Sequence, residues 1–185
     1  MHNQGLCGSC WAHASVAAFS DRKCIVENVS ERVQYSEEYL IDCDSMNHGC
    51  NGGFINIAHY MLNSIGTTTN ECVSFKSENG VSQACPTKCD GSYSITLVRS
   101  KDYKNVCATE NTIKTALLDG PVATAYDIYE DFEVYSRGIY HHIYGNMIGS
   151  HAVEFAGYGE ENDVKYWIIK NSWSREWVRM DILGL

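Results

Sequence analysis

Hydrophobic positions follow two regimes along this chain. In the first half they recur at helical spacing between cysteine-bearing polar stretches. Trp11, Ala14, Ala18 and Cys24 fall near one face of a helix that Ser9 can cap and that runs to about Ile25. Ser36, followed by Glu37 and Glu38, opens a short helix ending near Cys43. Gly53 leads into a third, with Phe54, Ile57, Ala58, Met61, Leu62 and Ile65 at helical spacing and Gly66 as its stop. Residues 67–93 hold three cysteines and little periodicity, which predicts loop held by disulfides. From there the period changes. Ser94–Val98 alternates like a strand, and Thr109–Leu118 reads as one more helix, stopped by Gly120-Pro121. Strand-like runs follow at Val122–Tyr126, Gly138–Ile143, His151–Tyr158 and Val164–Lys170, the last two flanking a polar Glu160–Asp163 turn that predicts a hairpin. The pattern predicts an α+β chain: a helical lobe over residues 1–95, then a β-rich lobe over residues 96–185.

Composition narrows the function classes. A hydrophobic content of 44% and a charged content of 20% describe a globular chain rather than a disordered one. Its formal net charge of −9 makes it a poor phosphate binder, so nucleic acid is not an expected partner. No run approaches the ~18 apolar residues of a membrane span. The start, MHNQGLCGSC, lacks the basic-then-apolar pattern of a signal peptide. Nine cysteines fit a secreted or vesicular protein with disulfides, and the odd number leaves at least one outside any internal pair. Such a protein is expected to carry a signal peptide, which points to a processed form or to a missing front end.

Cys7-Gly8-Ser9-Cys10 is a C-x-x-C, open to three chemistries. A thioredoxin-like redox pair expects a strand before it, and only six residues precede Cys7. Half a zinc site would need Cys85 and Cys89, whose spacing of four and scattered histidine neighbours fit poorly. The third reading is a nucleophilic cysteine at a helix N-terminus beside a structural disulfide cysteine. The wider string QGLCGSCW matches the C-G-[SA]-C-[WY] pattern that surrounds a nucleophilic cysteine, with His and Asn roughly 130–150 residues downstream. His151 lies 141 residues after Cys10, and Asn171 lies 161 after it.

On these residues the chain resembles the papain-like cysteine proteases, and among them the cathepsin B-like branch. CNGG at Cys50–Gly53, SDRKCI at Ser20–Ile25, GPV at Gly120–Val122, YEDFEVYSRGIYHH at Tyr129–His142, SHAVEFAGYG at Ser150–Gly159 and YWIIKNSW at Tyr166–Trp173 carry the resemblance over residues 2 to 177. It implies a two-lobed papain-like fold with the site in the cleft between lobes, and no metal or organic cofactor. It implies that Cys10 attacks the peptide carbonyl while His151 protonates the leaving amine and then activates water. Thiolate would be favoured by the positive end of the helix that Cys10 opens and by the His151 imidazolium. Asn171 would orient the imidazole, with Trp173 shielding that bond. The Gln4 amide and the Cys10 N–H would form an oxyanion hole. Gly52 and Gly53 would let backbone pair with an extended substrate, and Ser150 is a further candidate substrate-binding residue. By the same resemblance Cys7 pairs with Cys50, Cys43 with Cys85, and Cys72 with Cys89. Cys24 resembles a cysteine whose partner lies upstream of this chain, and Cys107 has no obvious partner.

Other residues take plainer readings. His141 and His142 are expected as half-exposed strand residues, and His13 as a packing substitution for an aromatic. Asn28-Val29-Ser30 is a glycosylation sequon. Where cathepsin B carries an occluding loop with a His pair, only the twelve residues Val73–Ala84 separate Cys72 from Cys85, and none is His. That predicts an endopeptidase. Protein or peptide substrates, an own propeptide, cystatin-like inhibitors, a monomer, and a lysosome-like vesicle or secretion are what the resemblance implies. After NSW the family pattern would run WGENGYFRI, whereas this chain reads Trp177 then VRMDILGL. Removing one G from a GGGGG run in codons for WGENGYFRI produces W-V-R-M-D-I-L-G, with Leu next if a purine follows. Val178–Leu185 is therefore expected to be a frameshift product with no structural role, leaving an open edge on the β lobe.

Overall fold

Small side chains decide where the first helix sits. Helix α1 (Cys10–Glu27) is buried on most of its circumference through Ser20 rather than along one stripe. Its Ala14 and Ala18 pack against Ala123 and Ala152, so helix and sheet approach closely, with Cys10 and Ile55 at the margin. The computed structural model describes residues 3–173 and the backbone of residues 182–184.

Helix α2 (Glu37–Cys43) starts where the sequence places it, because Ser36 Oγ accepts from Tyr39 N at 3.0 Å. The third helix, α3 (Ile55–Ser64), begins two residues later than Gly53, since Asn47 Oδ1 takes the Phe54 N–H at 2.7 Å and holds the chain extended there. Gly66, at φ +96°, ends it. Trp11, Leu40, Leu62 and Val73 centre the core of this helical part. Disulfides Cys7–Cys50, Cys43–Cys85 and Cys72–Cys89 tie its loops down, while Cys10, Cys24 and Cys107 are free thiols. His13 is buried and meets the edge of the Phe75 ring at 5.0 Å.

Ser94–Val98 is not a strand. Only Val98 pairs, as an isolated bridge to Thr67, because no neighbouring strand offers the rest of the run a ladder. Helix α4 (Glu110–Leu117) is closed by a Thr109/Thr112 capping box. Arg22 of α1 takes up the carbonyl of Ala116 in the last turn of α4 and those of Gly120 and Pro121 beyond it.

One antiparallel sheet follows, in the order β1 (Val122–Tyr129), β2 (Met147–Glu161), β3 (Val164–Lys170), β4 (Ile182–Gly184). Asn162 and Asp163, both at positive φ, form the two-residue turn of the β2–β3 hairpin. Phe132, Val153, Phe155 and Ile169 form the second core. Phe132 belongs to the short helix α5 (Glu130–Glu133). Gly138–Ile143, expected as a strand, is irregular chain. Its end is instead held by Asp131, whose carboxylate accepts the N–H groups of Ile143 at 2.7 Å and Tyr144 at 3.2 Å. His142 accordingly stacks on Tyr129, at 3.8 Å between centroids, rather than lying in a ladder. The expected open edge is covered along part of β3. The backbone of Ile182–Gly184 pairs with Ile168–Lys170, so this part of the tail does have a structural role. The remainder of the tail expectation, residues 178–181 and 185, lies outside the described residues.

Candidate active site

Three elements deliver the three principal side chains. Cys10 is the first residue of α1, His151 lies within β2, and Asn171 follows the last residue of β3. The register pairs Glu154 with Lys170, which brings Asn171 alongside Val153, one diagonal step from His151. His151 Nε2 meets Asn171 Oδ1 at 2.6 Å in a buried bond. That assignment leaves Nδ1 for Cys10. The Trp173 ring lies 4.8 Å from the His151 ring, centroid to centroid. Cys10 sits against the strand that carries His151, because the backbone amide of Ala152 interacts with its sulfur.

Burial pushes the Cys10 thiol up, and the amides of Ala152, Trp11 and Cys10 only partly offset this. Burial pushes His151 down, against the pull of Asn171. Burial thus disfavours the charged form of each group.

Gln4, 168 residues from Ser172, is tied to it twice. Gln4 N donates to Ser172 O at 2.9 Å, and Ser172 Oγ donates to Gln4 Oε1 at 2.6 Å. Gln4 Nε2 donates one hydrogen to Cys7 O at 3.0 Å and keeps a second to offer. Disulfide Cys7–Cys50 adjoins this turn, and Gly8 N donates to Cys50 O at 2.8 Å. The two glycines differ in kind. Gly52 has φ +105° and open space where a Cβ would stand. At Gly53 a Cβ would lie 2.7 Å from the Trp11 ring and 2.8 Å from Asn47, so packing demands glycine there. The Ser150 hydroxyl donates to Asp127 Oδ1 at 2.9 Å across β1 and β2.

Tyr126 escaped the sequence reading. It is His151's register partner on β1, with ring centroids 6.2 Å apart, and its hydroxyl is buried with no hydrogen-bond partner among the described residues. Burial, and then the nearby Tyr140 and Cys10, push that phenol far above its ordinary range. Only the β1–β2 register could have revealed it.

Comparison with known proteins agrees with this layout. Residues 1–181 match the family model for papain family cysteine proteases. The chain is 44% identical over 179 residues to cathepsin B-like CP2 of Giardia intestinalis, covering 95% of this chain and 60% of that protein. It is 35% identical to zingipain-2 of Zingiber officinale over 95% of this chain and 76% of that one. It thus spans about three fifths of the length of the Giardia relative. The solved structure of procathepsin B S9 from Trypanosoma congolense superposes with a TM-score of 0.93 at 27% identity, covering all of this chain and 65% of that one. A two-lobed papain-like fold with this sequence match leaves one assignment: the chain belongs to the papain family of cysteine proteases.

Proposed function

We propose that this chain is a thiol peptidase that cleaves within protein substrates. The observation that carries the reading is the buried 2.6 Å His151–Asn171 bond beneath Trp173, with Cys10 at a helix N-terminus against the same strand. The proton of Cys10 passes to His151 Nδ1 as the sulfur attacks the peptide carbonyl, and the resulting oxyanion is met by the Cys10 N–H and the free Gln4 Nε2 hydrogen. The C–N bond breaks, His151 gives its proton to the departing amine, and a thioester remains. Water, deprotonated by His151, hydrolyses it and restores the thiol. Asn171 keeps the ring aimed throughout, and Gly52 presents open backbone to an extended substrate.

The endopeptidase part rests on the segment between Cys72 and Cys85. Glu38 accepts from Lys76 N at 3.1 Å, Ser77 N at 3.2 Å and Ser77 Oγ at 2.8 Å, so the segment lies down on the helical part. It also contains no His to grip a substrate carboxylate. Proteins or peptides are the substrates, and an own propeptide is an expected ligand, in keeping with the proform relatives among solved structures. Three disulfides support an oxidising compartment, a lysosome-like vesicle or the outside of the cell. No helix among the described residues is long and apolar enough to cross a membrane.

An epoxide inhibitor of thiol peptidases should label Cys10, read by peptide mass. A fluorogenic peptide should be cut equally well with its C-terminus free or amidated. Absence of labelling would reduce the chain to a binding module of the same fold. Cleavage that stops on amidation would make it a dipeptide-releasing exopeptidase.

A further inference from the structure

The far end of α1 carries a motif that the site leaves unused. Asn28-Val29-Ser30 is the single Asn-x-Ser/Thr triplet in the 185 residues, with Val rather than Pro in the middle. Asn28 is the C-cap of α1, at φ 50° and ψ 44°, and its N–H donates to the carbonyls of Cys24 and Ile25. Residues 25–33 are exposed without interruption. The Asn28 backbone is thus fixed, while neither its side-chain amide nor the Ser30 hydroxyl is bonded among the described residues. A purely structural role accounts for Asn28 alone. The left-handed cap favours Gly and then Asn, but it makes no demand on the residue two places further on. A hydroxyl at position 30 has a use once the three residues are read as an acceptor triplet.

The surroundings indicate what a modification there would do. Ile25, Val26 and Val29 are 54%, 77% and 44% exposed, an apolar group at the last turn of α1 and just beyond it. Val29 N donates back to Cys24 O at 3.3 Å, which folds Val29 onto the helix end. The charged neighbours pair among themselves, Lys23 with Glu27 and Arg32 with Asp21. Asn28 stands between Val26 and Val29 in this apolar end. Helix α1 is 18 residues long, so Asn28 lies about 27 Å from Cys10 along its axis. A bulky polar group on Asn28 would cover the apolar side chains and leave the Cys10 end of the helix clear.

We propose that Asn28 is an acceptor for an N-linked oligosaccharide, and that the sugar shields the apolar end of α1. The donor class is a saccharide carried on a lipid pyrophosphate. The Asn28 side-chain nitrogen attacks the anomeric carbon, the bond from that carbon to the pyrophosphate oxygen breaks, and the lipid pyrophosphate departs. The amide gives up one proton to the transferase, and nothing is oxidised or reduced. Ser30 supplies the hydroxyl by which the triplet is recognised. Transfer belongs to the compartment in which disulfides form. The inference therefore rests on the oxidising-compartment reading of Cys7–Cys50, Cys43–Cys85 and Cys72–Cys89, and not on the peptidase reading.

The test expresses the full 185-residue chain behind a cleavable secretion signal in a eukaryotic host. All membrane-enclosed and secreted chain is analysed, folded or not, since transfer reads the triplet rather than the fold. Peptide mass should show a saccharide on Asn28 in most of the chain. Peptide N-glycosidase in heavy-oxygen water should release it and convert the modified Asn28 to aspartate carrying one heavy oxygen. Asn28→Gln and Ser30→Ala should each lose the saccharide, and Ser30→Thr should keep it. Ser30→Ala leaves the cap intact, so its loss separates the modification from the cap. Unmodified Asn28 in the unmutated chain, or a saccharide that survives Ser30→Ala, overturns the site. Shielding has its own readout. The secreted chain stripped of sugar should bind about twofold or more of an apolar dye than the intact glycoprotein, and Val26→Ser should reduce that gain. Equal dye binding with and without the sugar overturns the shielding. A glycan on a chain lacking the three disulfides would remove the compartment argument and leave the acceptor standing. Epoxide labelling of Cys10 should be the same with and without the sugar. Labelling in neither would remove the peptidase reading and leave the acceptor standing.

Discussion

Cys10 and His151 are each made reluctant ions by burial, and on the peptidase reading each supplies the other's counter-ion. Replacing Cys10 by Ser should abolish hydrolysis of a fluorogenic peptide while leaving the circular dichroism spectrum unchanged, because a hydroxyl will not ionise against an imidazole. His151→Ala removes the general acid–base and should cost about 10²–10⁴-fold in kcat. Asn171→Ala should cost less, since Asn171 only aims the ring, and its loss should appear in kcat rather than KM. A further outcome separates the paired ionisation from a helix-driven one. In His151→Ala the thiol keeps its burial and loses its counter-ion. Alkylation by iodoacetamide should then require a pH above the ordinary thiol value of 9.0, whereas the unmutated chain should react well below it. An identical profile in both would remove the imidazole from the ionisation.

At the scale of elements, Asp131 shows how one side chain can replace a strand. It holds Ile143, Tyr144, Tyr140 and His142 around its two oxygens, and those donors keep its carboxyl far below the usual carboxylate range despite its burial. A carboxylate depressed by folding stabilises above its unfolded value, and that stabilisation is lost as pH falls through the folded one. Asp131→Ala should therefore lower the melting temperature at neutral pH and expose residues 136–146 to limited proteolysis, with a smaller difference from the unmutated chain in strong acid. The same loop marks what could be read in advance. Helix α2 was legible because Ser36 and Glu37 signal their roles locally, and the β2–β3 hairpin because Asn162 and Asp163 suit a tight turn. Gly138–Ile143 alternates as a strand does, yet its hydrogen bonds go to a carboxylate seven or more residues earlier, and alternation carries no trace of that. Cys10, His151 and Asn171 were legible through their motifs. Tyr126 and the tether on Ser150 were not, because each depends on which residue stands across the sheet.

Across the whole molecule the two parts are held by different means. All three disulfides among the described residues lie within residues 7–89, closing separations of 43, 42 and 17 residues. Chain entropy assigns such loops roughly 3–4 kcal/mol each. The sheet relies instead on Phe132, Val153, Phe155 and Ile169. Dithiothreitol should therefore loosen the helical part first. With Cys10 alkylated to prevent self-cleavage, trypsin should then cut at Lys76, Lys88 and Arg99 before it cuts within β2 or β3. Simultaneous loss of both parts would mean that the seam between α1 and the sheet, rather than the disulfides, limits stability.

The tie between Gln4 and Ser172 has a consequence for how the molecule is made. Cys10 leaves the ribosome 161 residues ahead of Asn171. At about 5–20 residues per second, the thiol waits on the order of ten to thirty seconds before the residue that aims its partner exists. During that interval neither the buried bond to His151 nor the Gln4 tether can form. On the peptidase reading, the geometry that aims His151 is therefore completed only when the last part of the described chain has been laid down.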